Sequence, residues 1–202
     1  MNQNIIIHRV LPMTKRLIQR VTNEGDVVVD ATAGNGNDTQ FLAETVGPNG
    51  RVFAFDIQQE ALDATKERLE QNDCLTQVQL SCGSHANVKK FVESPISGAM
   101  FNLGDLPYSE DLSVVTRAES TIAAIDALLD LLKKDGIITV SVYDGHPGGP
   151  EERDALLEYV RTLYQKDVHV ARYELLNQRN NPPFMLAFEK MRDFTTHERI
   201  EC

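Results

Sequence analysis

Apolar residues fall along this chain in short runs that alternate with longer stretches of helical spacing. Val27-Val28-Val29 is the first run: three β-branched residues, preceded by Glu24-Gly25-Asp26 and ended by Asp30, suit a strand buried on both faces. Arg51 to Asp56 repeats the pattern and again ends in an acid. Thr76 to Leu80, Gly98 to Asn102, Ile137 to Val142, Val168 to Leu175 and Phe184 to Glu189 supply five more runs. Helical spacing runs from Pro12 to about Asn23, with Leu17, Ile18 and Val21 in register and Pro12 suited to the first turn. It recurs over Gln40 to Val46, over Gln58 to Asn72 with Leu62, Lys66 and Leu69 on one stripe, and briefly from Ala86 to Val92. The strongest helix pattern is Glu119 to Lys134, with Ile122, Ile125, Leu128, Leu129 and Leu132 on one face and Gly136 beyond its end. Glu151 to Tyr164 is the last. Five rounds of strand and helix predict an α/β fold with a parallel sheet covered on both faces. The final two strands are joined by a helix-free loop, Leu176 to Pro183, so the last strand is antiparallel.

Between the first strand and its helix lies Asp30-Ala31-Thr32-Ala33-Gly34-Asn35-Gly36-Asn37-Asp38-Thr39. Gly34 and Gly36 permit backbone angles and close ligand approach that a Cβ forbids, and Asp38 and Thr39 are candidate caps for the next helix. Asp56 follows Gly36 by twenty positions, where a carboxylate meets ribose hydroxyls in dinucleotide-binding sheets. Two details distinguish this loop from a dinucleotide fingerprint. Thr39 stands where a third glycine belongs, and Asp30 precedes the loop, where a carboxylate repels a pyrophosphate but suits a sulfonium and an amino group. S-adenosylmethionine is therefore favoured over NAD. The closing hairpin points the same way, because it finishes the seven-stranded methyltransferase sheet, with expected order 3-2-1-4-5-7-6. A nicotinamide oxidoreductase and a non-catalytic donor-binding module remain open.

The 202 residues suffice for one domain, read here as residues 1–190 with its amino-terminal helix, followed by a polar tail over 191–202. A 42% hydrophobic and 25% charged composition is globular. No run approaches membrane-spanning length and Met1-Asn2-Gln3-Asn4-Ile5 lacks a leader pattern, so the expected location is cytoplasmic. Cys74, Cys82 and Cys202 form no C-x-x-C pair; they read as reduced bystanders, and no metal is expected. The net charge of −10 argues against broad nucleic-acid binding but leaves room for a local patch. Arg9, Lys15, Arg16 and Arg20 are the first choice, then Lys89-Lys90, Arg172 and Arg179.

The carboxyl ends of parallel strands share one rim. It collects the glycine loop, Asp56-Ile57-Gln58, Gly83-Ser84-His85, Asn102 to Pro107, Tyr143 to Gly149 and Asn177 to Pro183. The first three suit the donor: Asp30, Gly34, Asn35, Gly36, Asn37, Asp38 and Thr39 for its methionine part, Asp56 and Gln58 for ribose, Ser84 or His85 beside adenine, with Asn102 bordering both ligands. The last three are candidates for the acceptor pocket. Asn102 can hydrogen-bond an amine, and His146 reads as a base or a loop histidine. His8, His169 and His197 are placed outside the rim. Asn181-Pro182-Pro183-Phe184 looks like the Asn-Pro-Pro-aromatic signature of amine methyltransferases, although it precedes strand seven instead of following strand four; a proline turn is the competing reading.

Taken together, Asp30 to Gly36, Asn102-Leu103-Gly104, Glu119-Ser120-Thr121-Ile122-Ala123-Ala124, Gly145-His146-Pro147-Gly148-Gly149 and Asn177-Gln178 with Pro182-Pro183-Phe184 resemble the bacterial tRNA 5-aminomethyl-2-thiouridine methyltransferases, a family formerly labelled rRNA methylase. The resemblance spans about residues 6 to 190. It departs from the pattern at Asp105-Leu106-Pro107-Tyr108, where the family is expected to have Tyr-Leu-Pro-Gly. It implies a Rossmann-like class I methyltransferase that uses S-adenosylmethionine to methylate the aminomethyl group of a tRNA wobble uridine. An rRNA or small-molecule acceptor is the alternative. A protonated ammonium has no lone pair, so an amine acceptor needs a group that takes its proton. Asn102 is expected to orient the amine, Tyr143 and His146 are the candidate proton acceptors, and Asp105 and Asp144 stand behind them. Beyond tRNA, a second copy of the chain is a candidate partner.

Overall fold

Successive residues of the central strands face opposite ways, and the computed structural model, described here for residues 6–93, 95–103 and 118–194, buries both sets. In β1 (Val27–Asp30), Val28 packs with one apolar cluster and Val29 with the other. In β2 (Arg51–Asp56), Val52 and Ala54 join the first cluster, while Phe53 and Phe55 join the second. This two-sided burial produces a sheet with helices on both faces. One face carries α1 (Val10–Val21), α2 (Asn37–Val46) and α3 (Gln59–Gln71), through Ile18, Leu42, Val46, Leu62 and Leu69. The other carries α4 (Ala118–Leu131) and α5 (Gly149–Thr162), through Ile125, Leu128, Leu129 and Leu156.

The remaining strands are β3 (Val78–Cys82), β4 (Ile96–Asn102), β5 (Leu132–Val142), β6 (Val168–Tyr173) and β7 (Phe184–Lys190). The sheet order is β3-β2-β1-β4-β5-β7-β6. Pairings are parallel from β3 through β5, and β7 runs antiparallel to both β5 and β6. Both the order and the closing hairpin agree with the sequence reading.

Several boundaries move. Thr76 lies in a 3-10 turn, Leu75–Gln77, so the third strand begins at Val78. The Ala86 to Val92 helix is a 3-10 turn over His85–Lys90. The Glu119 to Lys134 helix ends at Leu131, because Leu132 is already extended beside Ile96, after which the register shifts so that Gly98 meets Ile137. Asp135 takes a left-handed φ of 65° between the two pairings. α1 begins at Val10, which puts Pro12 third in the helix, where its missing N–H still costs nothing. The stretch read as a tail starts packed: Phe194 is buried in the core, Lys190 lies over its ring and donates to the Leu129 carbonyl, and Arg192 pairs with Asp167. Among the described residues no helix is long and apolar enough to cross a membrane.

The glycine loop crosses α3 closely. Gly36 has φ 76°, and a Cβ there would lie 2.9 Å from the Cα of Thr65. Gly36→Ala is expected to lower unfolding stability by about 2–4 kcal/mol, from the left-handed backbone and the overpacked crossing together. Urea unfolding of the ligand-free protein reads this directly, and a loss under about 0.5 kcal/mol would mean that the crossing relaxes freely.

Candidate functional site

β1 delivers Asp30 to the rim, where it is 1% exposed. One carboxylate oxygen accepts the Thr32 N–H at 3.1 Å, and the other accepts the Thr39 hydroxyl at 2.6 Å. Thr39, itself fully buried, therefore does not cap α2; it reaches back to hold Asp30. Asp38 does not cap either. The helix starts from Gly36 in the left-handed region, with no side-chain cap, and Asp38 receives Lys15 Nζ at 3.0 Å. Asn37 is the first, exposed residue of α2, and Asn35 is half-buried in the loop.

Asp56 at the end of β2 ties the loop down: Gly34 N donates to one oxygen at 2.9 Å and Gln58 N to the other at 3.0 Å. From α3, the Thr65 hydroxyl donates to the Gly34 carbonyl at 3.0 Å and Arg68 Nε to the Asn35 carbonyl at 2.7 Å. Sequence reasoning missed Thr65 and Arg68. Nothing but their place one turn apart on a helix marks them, and their partners are over thirty positions away.

Burial, with Asp38 and then Asp56 adding their repulsion, pushes the Asp30 carboxyl up to about 7, against the pull of Thr39 and Thr32. Three carboxylates around a pinned glycine loop favour a cationic ligand and oppose a pyrophosphate. Next along the rim, Ser84 Oγ accepts the Ala86 N–H and caps the 3-10 turn. His85 is 8% exposed, and its Nδ1 lies 3.0 Å from the Ala31 carbonyl, so that nitrogen carries the proton. Its ring meets Phe101 edge-on, burial lowers its basicity, and its Nε2 is buried without a partner among the described residues.

On the acceptor side, β4 ends at Asn102, whose N–H donates to the Thr32 hydroxyl at 2.7 Å. Its Oδ1 is buried with no partner among the described residues. Tyr143 is half-buried, and burial together with nearby Asp38 raises its phenol, so it keeps its proton at neutral pH and fails as a proton acceptor. Asp144, expected to stand behind the proton acceptors, pairs with two other side chains. Arg153 Nη1 and Asn181 Nδ2 both donate to it at 2.7 Å, Arg153 foremost, and hold its carboxyl below the usual range. Asn181, with φ 48°, is thus the clamp between two rim loops. The clamp borders a polar cleft of about 280 Å³ that includes Arg172, Glu174, Gln178 and Phe184. Arg172 stacks 4.1 Å over the Phe184 ring.

His146 turns back on its own loop: Nδ1 lies 3.0 Å from the Pro147 carbonyl and is the donor there. Nε2, buried and without a partner among the described residues, is left with a free lone pair. His8, expected away from the rim, lies at its outer edge, where its carbonyl accepts the Tyr173 hydroxyl at the end of β6. Gly104 to Tyr108, including Asp105, and His197 lie outside the described residues. Among the described residues no three His, Cys, Asp or Glu side chains gather as metal ligands.

With this geometry in place, the likeness to known proteins is specific. A family model described as "Putative rRNA methylase" matches residues 52–189, and one for the ubiE/COQ5 methyltransferase family matches residues 1–95. The chain is 32% identical over 185 residues to the Arabidopsis thaliana protein named tRNA (mnm(5)s(2)U34)-methyltransferase, chloroplastic. That match covers 85% of this chain and 66% of the relative, so the chain spans just under two thirds of that protein's length. A solved structure from Clostridium thermocellum, described as an rRNA-methylase, superposes with a TM-score of 0.90 at 43% identity, covering 93% of this chain and all of that one. A Streptococcus mutans methyltransferase solved in complex with SAH gives 0.84 at 38% identity, covering 92% of this chain and all of that one.

Asp30 also sets a pH dependence. Its carboxyl, near 3.8 when unperturbed, is raised to about 7 in the folded chain. A raised carboxyl holds its proton more tightly when folded. Its contribution to stability is therefore full below about pH 4 and is lost as pH rises through about 7. Asp30→Asn removes this loss. Without ligand, the variant's melting temperature relative to wild type is expected to improve between pH 5 and pH 8; an unchanged difference would place the Asp30 charge outside this balance.

Proposed function

The chain belongs to the rRNA methylase family, whose fold is that of S-adenosylmethionine-dependent methyltransferases, and we propose that it transfers a methyl group from S-adenosylmethionine to the aminomethyl group of 5-aminomethyl-2-thiouridine at the tRNA wobble position. The observation that carries the amine reading is Asn102. A buried carbonyl oxygen without a donor costs about 1–3 kcal/mol, and an incoming N–H removes that cost. Asn102 stands at the end of β4, directly beside the end of β5, from which the chain runs on to Tyr143, Asp144 and the polar cleft. The name of the Arabidopsis relative supports the wobble uridine.

The residues present fit the donor. Gly36, held against Thr65 of α3, fixes the course of the loop, and Asp30, Asp38 and Asp56 surround that loop with negative charge for a sulfonium and an ammonium. Gly34, Asn35, Asn37 and Thr39 complete the loop, Asp56 and Gln58 take the ribose side, and Ser84 and His85 the adenine side. When bound, S-adenosylmethionine would supply the electrophilic methyl group, with its thioether as the leaving group when the amine nitrogen takes the methyl in line. The protein's part is alignment and proton removal. Asn102 orients the amine through Oδ1, and Tyr143, protonated, adds an orienting hydroxyl. His146 takes the proton at Nε2, the nitrogen its loop leaves unprotonated.

A second reading, an rRNA acceptor, is favoured by the family's description. Mass spectrometry of nucleosides after incubation with S-adenosylmethionine separates the two. Hypomodified tRNA is expected to gain 5-methylaminomethyl-2-thiouridine; methylation of ribosomal RNA alone would replace the wobble reading. Asn102→Ala is expected to keep donor affinity within about twofold and lower kcat about 10–100-fold, and full turnover would remove Asn102 from the acceptor site.

The tRNA approaches a chain of net charge −10, so phosphate contacts are confined. Lys15 is engaged by Asp38 and Lys89 by Asp130, whereas Arg9, Arg16, Arg20 and Lys90 are exposed; Arg16 and Arg20, four apart on α1, are taken as the patch. Replacing both with Glu is expected to weaken tRNA binding and lower the slope of log affinity against log salt by about 1–2, with donor affinity unchanged. An unaltered slope would move the patch to Lys89-Lys90, of which Lys90 is exposed, or to Arg172 and Arg179, of which Arg172 already pairs with Glu174.

A further inference from the structure

The polar cleft beside the ends of β6 and β7 contains side chains to which the mechanism above gives no part. Arg172 is the foremost. Its guanidinium carbon stands 4.1 Å over the centroid of the Phe184 ring, and its Nε and Nη2 both donate to Glu174, at 2.9 and 2.6 Å. Two donors on one carboxylate fix the guanidinium as a fork, and the ring beneath fixes it from one side. Phe184 is 4% exposed, so its ring is closed to a ligand, whereas Arg172 is exposed. What the cleft offers is the outer face of a planar group already held in place.

The walls are held as well. Asn180 and Asn181 turn in the left-handed region, with φ 68° and 48°, and Asn181 Nδ2 donates to Asp144 at 2.7 Å. That bond joins the loop after β5 to the loop before β7 and sets the width of the cleft before a ligand arrives. The cleft measures about 280 Å³, at the small end of ligand pockets, which suits one ring better than a stretch of chain. Its lining carries two carboxylates, Asp144 and Glu174, to one guanidinium, a balance that opposes a phosphate. Gln178 adds an amide, which both donates and accepts. A flat, uncharged ring with hydrogen-bonding edges meets all of these conditions, and unpaired RNA bases stack on guanidinium planes in this way.

We propose that this cleft seats the acceptor nucleobase and that Arg172, backed by Phe184 and fixed by Glu174, is the platform on which the base stacks. The proposal rests on the tRNA wobble reading and adds to it the residue that recognises the ring. Sheet register gives the span. Asn102 pairs with Ser141 on β5, and the next β5 residue, Val142, pairs with Phe184 on β7. Two strand spacings, about 10 Å, thus separate the backbones of Asn102 and Phe184. A pyrimidine on the platform points its C5 arm back along the rim, across Asp144 and Tyr143, toward Asn102. The stretch from Gln178 to Phe184 then has a part beyond that of a proline turn: it lines the cleft and carries the ring under Arg172.

The first test needs no turnover. 5-Aminomethyluridine, a nucleoside without phosphate, is titrated into the ligand-free protein and followed by NMR. It is expected to shift the Arg172 Nε–H and Phe184 ring signals saturably and to give a nuclear Overhauser contact between the pyrimidine H6 and the Arg172 side chain, while inorganic phosphate at the same concentration leaves them in place. Shifts with phosphate alone would make the cleft an anion site and overturn the proposal. In tRNA methylation assays, Arg172→Lys keeps the charge without the plane, and Arg172→Leu keeps the Phe184 ring covered. Both are expected to raise KM for hypomodified tRNA about tenfold, with kcat and donor affinity within about twofold and the salt slope of KM unchanged. A wild-type KM in Arg172→Lys would show that charge, and not stacking, is what Arg172 supplies, and would overturn the proposal. If the nucleoside contact appears while wild type methylates no tRNA, the acceptor assignment falls and the cleft stands as a nucleobase site. If both variants methylate tRNA with the wild-type KM, the wobble reading stands and the platform falls.

Discussion

The passage of the glycine loop beneath α3 is the constraint on which the rest of the site depends. Residues 34–36 leave β1, turn in the left-handed region at both glycines, and run so close to Thr65 that no side chain fits at Gly36. Side chains from three elements hold the loop: Asp56 from β2, Thr65 and Arg68 from α3, and Thr39 from α2 through Asp30. A loop pinned this way presents bare backbone at the rim with little left to order on binding. Preorganisation of this kind lowers the entropy cost of capturing a ligand.

The same contacts concentrate negative charge. Asp30 is the deepest of three carboxylates and carries most of the burden, which its two hydrogen bonds offset only in part. Structural stability alone does not ask for an acid there, since an amide could fill the volume. The acid makes sense as half of an interaction whose other half is a cationic ligand: charge that destabilises the empty protein stabilises the loaded one. The Asp56 carboxylate shows the opposite economy. Two backbone N–H groups satisfy it without a ligand, and it still has lone pairs for ribose hydroxyls.

The strand ends and the sheet order were legible because they rest on local signals. Three β-branched residues ended by an acid, and a hairpin without a helix, have few alternative readings. Element ends that depend on tertiary packing were not legible. Leu132 to Lys134 carry a good helical pattern, yet the strand claims them because Leu132 is buried beside β4. Thr39 looked like a cap from its neighbours alone, and only the fold reveals that its hydroxyl points back to Asp30. At the Asn-Pro-Pro-aromatic stretch the competing reading, a proline turn, fits the contacts: Asn181 is spent on Asp144, and Asn102 is the asparagine proposed for the amine.

Charge distribution finally bears on how an acidic protein handles a polyanion. The rim gathers Asp30, Asp38 and Asp56 on the donor side and Asp144 and Glu174 around the cleft, with Arg172 as the cation lining that cleft. A phosphate backbone is repelled from such a rim, whereas an aminomethyl group, cationic in water, is drawn in. On the proposed reading, the acceptor base and its backbone would be sorted by charge, the base entering the cleft and the phosphates meeting Arg16 and Arg20 of α1. Attraction of the ammonium has a cost, because the form the acidic cleft prefers is the one that cannot react. A base with its lone pair held inside the site would resolve this, which is the reason for proposing His146, whose Nδ1 donates to its own loop and whose Nε2 has no partner among the described residues.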